Sequence, residues 1–406
     1  MDRKVVLIGA FDTKGPEYSF LASLIEKSGC KLITVNTGVM DDARQLHVDI
    51  PATEVALAGG SDIESLRKAA DRGNAIKVMS DGAEVVVRQL FDREGFDGII
   101  GMGGTAGTNV VTACMRGLPY GLPKICVSTV ASANVSPYVG ISDIIMIPSL
   151  TDIAGINFIS KMVLRNAAGA LKGMLGTGHD STAEKPAIAV SMFGNTTPCV
   201  DRCREILDEN GFETLVFHAT GAGGRTMEKL AAEGALKGVL DITTTEWADA
   251  LCGGVFSAGE ERLSAPGSAG IPHLISPGCI DMCNFGAPDT IPARYKDRLF
   301  YEWNPNVTLM RTTPEENQKM GELFATKANA AKGKVAFIIP MQGFSMLDSR
   351  DENDQPQLFW DVAADQAFLT GLKNTLHPGI EIMELDANIN DPVFAEKASS
   401  VFLEML

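Results

Sequence analysis

A chain of 406 residues exceeds the size at which one hydrophobic core stops growing, so two domains are expected. With 45% hydrophobic residues, 21% charged residues, 41 glycines and no leader-like or membrane-length apolar run, it reads as a soluble cytoplasmic protein with no membrane partner. Thirty-five Lys and Arg against 51 Asp and Glu leave a net charge of −16, which disfavours nucleic acid and leaves small anions as ligands, met by local donors.

Short β-branched runs followed by glycine or hydroxyl loops and amphipathic stretches set a βαβ rhythm, which predicts an α/β fold with mainly parallel sheets. In the first half, strands are expected over 5–8, 32–36, 98–100, 125–130 and 144–147. Helices are expected over 18–27, 61–72, 80–91 and 109–116, and a long one over 152–175 closes the first domain. The polar stretch GTGHDSTAEKP (176–186) marks the boundary, giving domains 1–178 and 186–406. Eight cysteines show no C-x-x-C spacing and the five histidines are dispersed, so they read as reduced thiols and no metal site is assigned.

The second half restarts like the first. GAFDTKGPEYSFLASLIEKSGCKLITVNTG (9–38) aligns with SMFGNTTPCVDRCREILDENGFETLVFHATG (191–221), and GFDGIIGMGGTAGTNVV (95–111) has a counterpart in GALKGVLDITTTEWADAL (234–251). Ligands of open parallel sheets bind outside the carboxyl ends of the strands, so the loops after each strand are where chemistry is sought.

After the first strand, FDTKGP offers Asp12, Thr13, Lys14 and Gly15. Lys14 is a point charge for a phosphate, Asp12 a water-mediated metal contact or a plain cap. GMGGTAGTN carries the dinucleotide letters Gly101-x-Gly103-x-x-Ala106 but lacks the acidic partner in LPKICVSTVASAN, and no Walker lysine motif occurs anywhere. What remains is a loop at a helix start, with Gly101, Gly103, Gly104, Thr105 and Asn109 offering donors to an anion, or else only a tight turn.

In the second half HATGAGGRTMEKL presents Gly221, Gly223, Gly224 and Arg225, by its letters the strongest anion loop of the chain. DITTTEWAD adds Thr243 and Thr244, with a Thr243/Glu246 capping box as the competing account. The stretch at 276–292 carries Asp281 and Asn284, and the one after 335–339 carries Ser345 and Asp348. Asp361 and Asp365 share a face at a helix start. For proton transfer, His218 beside the glycine loop and Asp348 are the candidates; no nucleophile elbow is present.

Through GAFDTKGPEY, GMGGTAGTN, TGAGGRTMEKL, LDITTTEWAD, DMCNFGAPDTIP, NPNVTLMRTTPEEN and ADQAFLTGLK, nearly the whole chain resembles the ATP-binding N-terminal domain family of the tomato mosaic virus resistance protein and its bacterial homologues. That resemblance implies two Rossmann-like α/β subdomains, ATP binding and self-association as a dimer or larger homo-oligomer, and no known reaction. It does not extend to the plant protein's C-terminal barrel. Trp303 stands where relatives often have histidine, and FWDVAAD departs from the family's FYDPEAD, which weakens any shared role of that region. The expected function is ATP binding, with Mg²⁺, by glycine-rich βα loops in or near a cleft between the domains. The alternatives are a metabolic enzyme acting on a small carboxylate or phosphorylated sugar acid, with Arg225 as clamp, and a protein-binding or inhibitory module.

Overall fold

Strands β1 (Lys4–Gly9), β2 (Lys31–Asn36), β3 (Gly98–Gly103), β4 (Lys124–Ser128) and β5 (Ile145–Pro148) lie parallel in the order β2-β1-β3-β4-β5 in the computed structural model of this chain. The structure describes residues 3–177 and 185–406. It divides into two units, Met1–Asp180 and Ser181–Leu406, and most of the expected linker lies outside the described residues.

Both faces of the N-terminal sheet are covered, as an all-parallel sheet requires. Val5 and Leu7 of β1 pack with α1 (Gly15–Lys27) and α7 (Phe158–Gly176). Val6 and Ile8 point the other way, into a core shared with α2 (Ala52–Ala58), α3 (Ile63–Ala69), α4 (Arg72–Glu94) and α5 (Thr105–Arg116). A short helix α6 (Ser136–Val139) follows β4. Helix α2 was not expected from the sequence. Helix α4 begins at Arg72 rather than at 80, because Asp71 Oδ1 caps it by accepting from the Asn74 N–H at 3.1 Å.

The C-terminal unit has six parallel strands: β6 (Ala187–Met192), β7 (Glu213–His218), β8 (Gly238–Thr243), β9 (His273–Gly278), β13 (Val335–Pro340) and β14 (Glu381–Leu385). Their order is β7-β6-β8-β9-β13-β14, the N-terminal order with one strand added at the edge. The expected pairing of the two halves thus holds at the level of topology: β3 and β8 occupy the same place beside β1 and β6. A three-stranded antiparallel sheet, β10 (Met282–Phe285), β11 (Phe300–Asn304) and β12 (Val307–Arg311), is inserted between β9 and β13.

Helices α8 (Thr197–Glu209) and α14 (Pro392–Met405) cover one face of the second sheet. The rest is covered by α9 (Ala222–Ala232), α10 (Glu246–Cys252), α12 (Pro314–Asn329) and α13 (Val362–Thr375), with the short α11 (Ala265–Ala269) beside α9. Among the described residues no helix is long and apolar enough to cross a membrane, and the eight cysteines are unbridged.

Candidate functional site

In the N-terminal unit the strand order reverses between β1 and β3, the place where open α/β sheets bind ligands. A cleft of about 620 Å³ lies there, walled by the ends of β1, β2 and β3 and by α3 and α4. Asp12, Thr13, Lys14, Gly103, Gly104 and Thr105 line it together, so loops distant in sequence converge on one cavity. Leu66, Ala75, Ile76 and Met79 form an apolar wall, and Arg67 and Arg72 add charge. Thr37, in the loop that follows the second strand, also lines the cleft and is only 7% exposed. Its hydroxyl makes no hydrogen bond among the described residues.

The glycine loop is shorter than its letters suggest. Gly101 and Gly103 are buried in β3, where a Cβ on Gly103 would come within 2.7 Å of the Gly107 backbone. Helix α5 already begins at Thr105, which places Asn109 in its second turn, exposed and outside the cleft lining. Gly104 is the N-cap, at φ −75° and ψ −167°, and no side chain caps the helix. Any residue adopts that backbone, and a Cβ on Gly104 would touch only Thr129 Oγ1, at 3.7 Å. A capping Ser or Asp is therefore sterically allowed and would be stabilising. Its absence leaves the first-turn N–H groups unoccupied beside the cleft.

The surrounding frame is tightly built. The Tyr18 hydroxyl ties β1 to β3, donating toward the carbonyls of Ile8 (3.0 Å) and Met102 (2.6 Å) and accepting from the Met102 N–H at 3.0 Å. A Cβ on Gly9 would fall 1.6 Å from that hydroxyl, which is why glycine ends β1. Burial pushes the Tyr18 phenol far above its ordinary value. Asp12 is committed to the backbone: Oδ1 accepts from Thr13 N (2.7 Å) and Oδ2 from Met40 N (2.8 Å). Lys14 Nζ donates to the Ile153 carbonyl at 2.5 Å, while Gly15 opens α1 and does not line the cleft.

The equivalent place in the C-terminal unit is filled by the protein itself. Glu246 does not form the capping box with Thr243 that is the competing account of this loop. It reaches instead to the start of α9, where Oε1 accepts from Gly221 N at 2.7 Å and Gly224 N at 3.1 Å. The anion offered to TGAGGR is thus an internal carboxylate, and a Cβ on Gly224 would meet it at 2.2 Å. Arg225 is exposed and donates to the Ser257 carbonyl at 3.3 Å.

Arg262, 1% exposed, holds the arrangement together. Its Nε donates to Glu246 at 2.6 Å, and its two terminal nitrogens grip both oxygens of Asp241, each at 2.6 Å. Ser191 Oγ donates to Asp241 at 2.5 Å, and His273 Nε2 stands 3.2 Å from it. Burial pushes the Asp241 carboxyl up, but Arg262 and His273 outweigh it and hold it well below the usual range. Thr243 pairs with Thr196 at 2.7 Å and Thr244 donates to the Ser276 carbonyl at 3.0 Å, so both hydroxyls serve the interior.

A second buried cluster gathers at the ends of β9 and β13. Arg311 bonds Asp365 at 3.1 Å, stands 3.8 Å from Asp348 and donates to the Asp281 carbonyl at 3.3 Å; Ser345 Oγ donates to the Asp281 carboxylate at 2.8 Å. Burial and the charge of Asp348 push Asp281 up to about 7. Burial also raises Asp348, against the pull of Arg311, and raises Asp365 well above its ordinary value. Asp361 caps α13 while Asp365 serves Arg311, so the two do not act as a pair. His218 is exposed and stacks on Phe193 with ring centroids 5.4 Å apart, and no bond joins it to Asp348. Among the described residues no three His, Cys, Asp or Glu side chains are placed to hold a metal ion.

Residues 3–180 match the N-terminal domain, and residues 185–406 the C-terminal domain, of the Uncharacterised protein family UPF0261. The chain belongs to this family. A UPF0261 protein of Clostridium tetani is 45% identical over 408 residues, covering 100% of both chains. The ToMV resistance protein Tm-1 of Solanum lycopersicum, also similar to this UPF0261 chain, is 38% identical over 424 residues that cover 99% of the chain and 56% of the tomato protein. Among solved structures, a UDP-N-acetylglucosamine 2-epimerase aligns over 93% of the chain and 92% of its own, at 12% identity and a TM-score of 0.21. Likeness of that degree bears on neither ligand nor reaction.

Proposed function

We propose that this UPF0261 protein binds a nucleotide or another phosphorylated metabolite in the N-terminal cleft, its phosphate received by the start of α5. The observation that carries this reading is Gly104, an N-cap with room for a capping side chain and none present, facing a cleft of about 620 Å³ at the sheet's switch point. Uncapped first-turn N–H groups and the positive end of the helix dipole favour an anion, and the cleft's volume suits a small organic molecule. ATP, the nucleotide that the family resemblance implies, is the first ligand to try.

Gly104→Asp tests the reading, because it places a carboxylate where the phosphate would sit, as Glu246 does on α9. The variant is expected to gain about 1 kcal/mol of stability as an N-cap and to lose ligand binding by calorimetry. Binding that survives in a stabilised Gly104→Asp protein sinks the proposal.

A further inference from the structure

The charges lining the N-terminal cleft do not balance a triphosphate. Its charged residues are Lys14, Arg67 and Arg72 against Asp12 and Asp71. Arg67 is already paired with Glu64 at 3.0 Å and Asp42 at 3.2 Å. Lys14 donates only to a carbonyl, so its charge is not neutralised, and Arg72 has no ion pair among the described residues. The start of α5 contributes about half a positive charge more. Asp12 and Asp71, bonded only to backbone N–H groups, keep their charge and offset Lys14 and Arg72, so the net supply is about half a positive charge; it leaves a dianion far less uncompensated than a tetra-anionic triphosphate.

A divalent cation would redress that excess if the cleft could hold one. Mg²⁺ is ordinarily carried by one or two carboxylates together with phosphates and water. Both Asp12 oxygens accept from backbone N–H groups and Asp71 caps α4 through Oδ1, which leaves the Asp71 Oδ2, on an exposed residue, as the one lining carboxylate oxygen without such a bond. One exposed carboxylate oxygen, with Asp12 held by the backbone, is a poor donor set for Mg²⁺.

We propose that the cleft binds a phosphate monoester, a single dianionic phosphate on a compact body, without a divalent metal; this rests on the phosphate reading above. The unpartnered hydroxyl of Thr37, a residue only 7% exposed, supplies a donor within the cleft, Lys14 and Arg72 supply the countercharge, and Leu66, Ile76 and Met79 face the body of the ligand. A nucleoside monophosphate and a sugar phosphate share this chemistry.

Calorimetry on the full chain distinguishes them, using AMP, ribose 5-phosphate and ATP, each in EDTA and in excess Mg²⁺. At least one monoester is expected to bind about tenfold or more tighter than ATP, an advantage of about one charge-assisted hydrogen bond. Its Kd should be the same in EDTA and in Mg²⁺. Tighter AMP identifies a nucleoside body; equal or tighter ribose 5-phosphate identifies a sugar phosphate. Arg72→Ala, at an exposed position without an ion pair, and Thr37→Val should each weaken the monoester by about tenfold. ATP binding tighter than both monoesters, or binding that requires Mg²⁺, overturns the proposal while leaving the phosphate reading intact. If none of the three binds, both fall.

Discussion

At the carboxyl end of β3 the chain leaves its helix N–H groups uncapped beside an open cleft, whereas at the carboxyl end of β8 the side chains of Asp241, Glu246 and Arg262 occupy the equivalent ground. The strand order around the two places is the same. One topology thus generates the same opportunity twice, and local residue choice decides its use. Gly104 keeps the α5 donors available in the first unit; in the second Glu246, at the start of α10 after β8 and anchored by a buried arginine, reaches across and consumes those of the neighbouring α9. A glycine-rich loop before a helix is therefore insufficient to assign an anion site, because a carboxylate from elsewhere in the chain can already be bound there.

The largest test of this contrast is Arg262→Met. It strands Asp241 and Glu246 in the interior, and urea unfolding should show the C-terminal unit destabilised by about 3–5 kcal/mol with ligand binding to the N-terminal cleft retained. Loss of the cleft's binding in folded protein would show that the two sites are not independent.

The pH dependence separates the units next. Burial raises Asp281, and burial raises Asp249, each to about 7 from 3.8. Below 3.8 the folded and unfolded states are both protonated, so these groups leave stability unchanged. Between 3.8 and about 7 the unfolded chain ionises while the fold keeps its protons, so the C-terminal unit should lose stability as pH rises through that window. Asp281→Asn should match wild type near pH 4 and gain on it progressively toward pH 7, as read from melting temperatures. A constant difference across the window would refute the assignment.

Tyr18→Phe acts on the open side. Removing the hydroxyl leaves the backbone groups of Met102 and Ile8 short of a partner, at about 1–3 kcal/mol in the N-terminal transition, and weakens binding by loosening the frame around β3. Gly104→Asp is smaller and of opposite sign in stability, as given above. Smallest of all, Arg225→Ala on the filled side should change stability by no more than about 0.5 kcal/mol and leave phosphate binding untouched. A large loss of binding would relocate the ligand to the C-terminal unit.

Much of the frame was legible in the sequence. The first-half strands fall within a few residues of expectation, and the pairing of 95–111 with 234–251 anticipated the equivalence of β3 and β8. Asp12, Thr13, Lys14, Gly103, Gly104 and Thr105 were named from their positions after strands, and the structure gathers them around one cleft. Other features carried no local signal. Arg262 sits in the unremarkable run GEERLSAP and meets Asp241, 21 residues away, only because β8 and the segment before α11 pack together. The letters of Thr243 and Glu246 fit a capping box, yet the Glu246 carboxylate accepts from N–H groups at the start of α9. Arg67 and Arg72 became relevant only when α3 and α4 folded over the strand ends.

By itself the sequence determined the α/β alternation, the doubled βαβ plan and the loops at the strand ends. Those follow from period, glycine placement and capping chemistry within a few residues of each position. Which loop stays open to a ligand was decided by tertiary structure alone, because occupancy of a helix N-terminus depends on whether a charged side chain from a remote segment reaches it first. In the N-terminal unit none does at α5; in the C-terminal unit Glu246 caps α9, with Arg262 behind it.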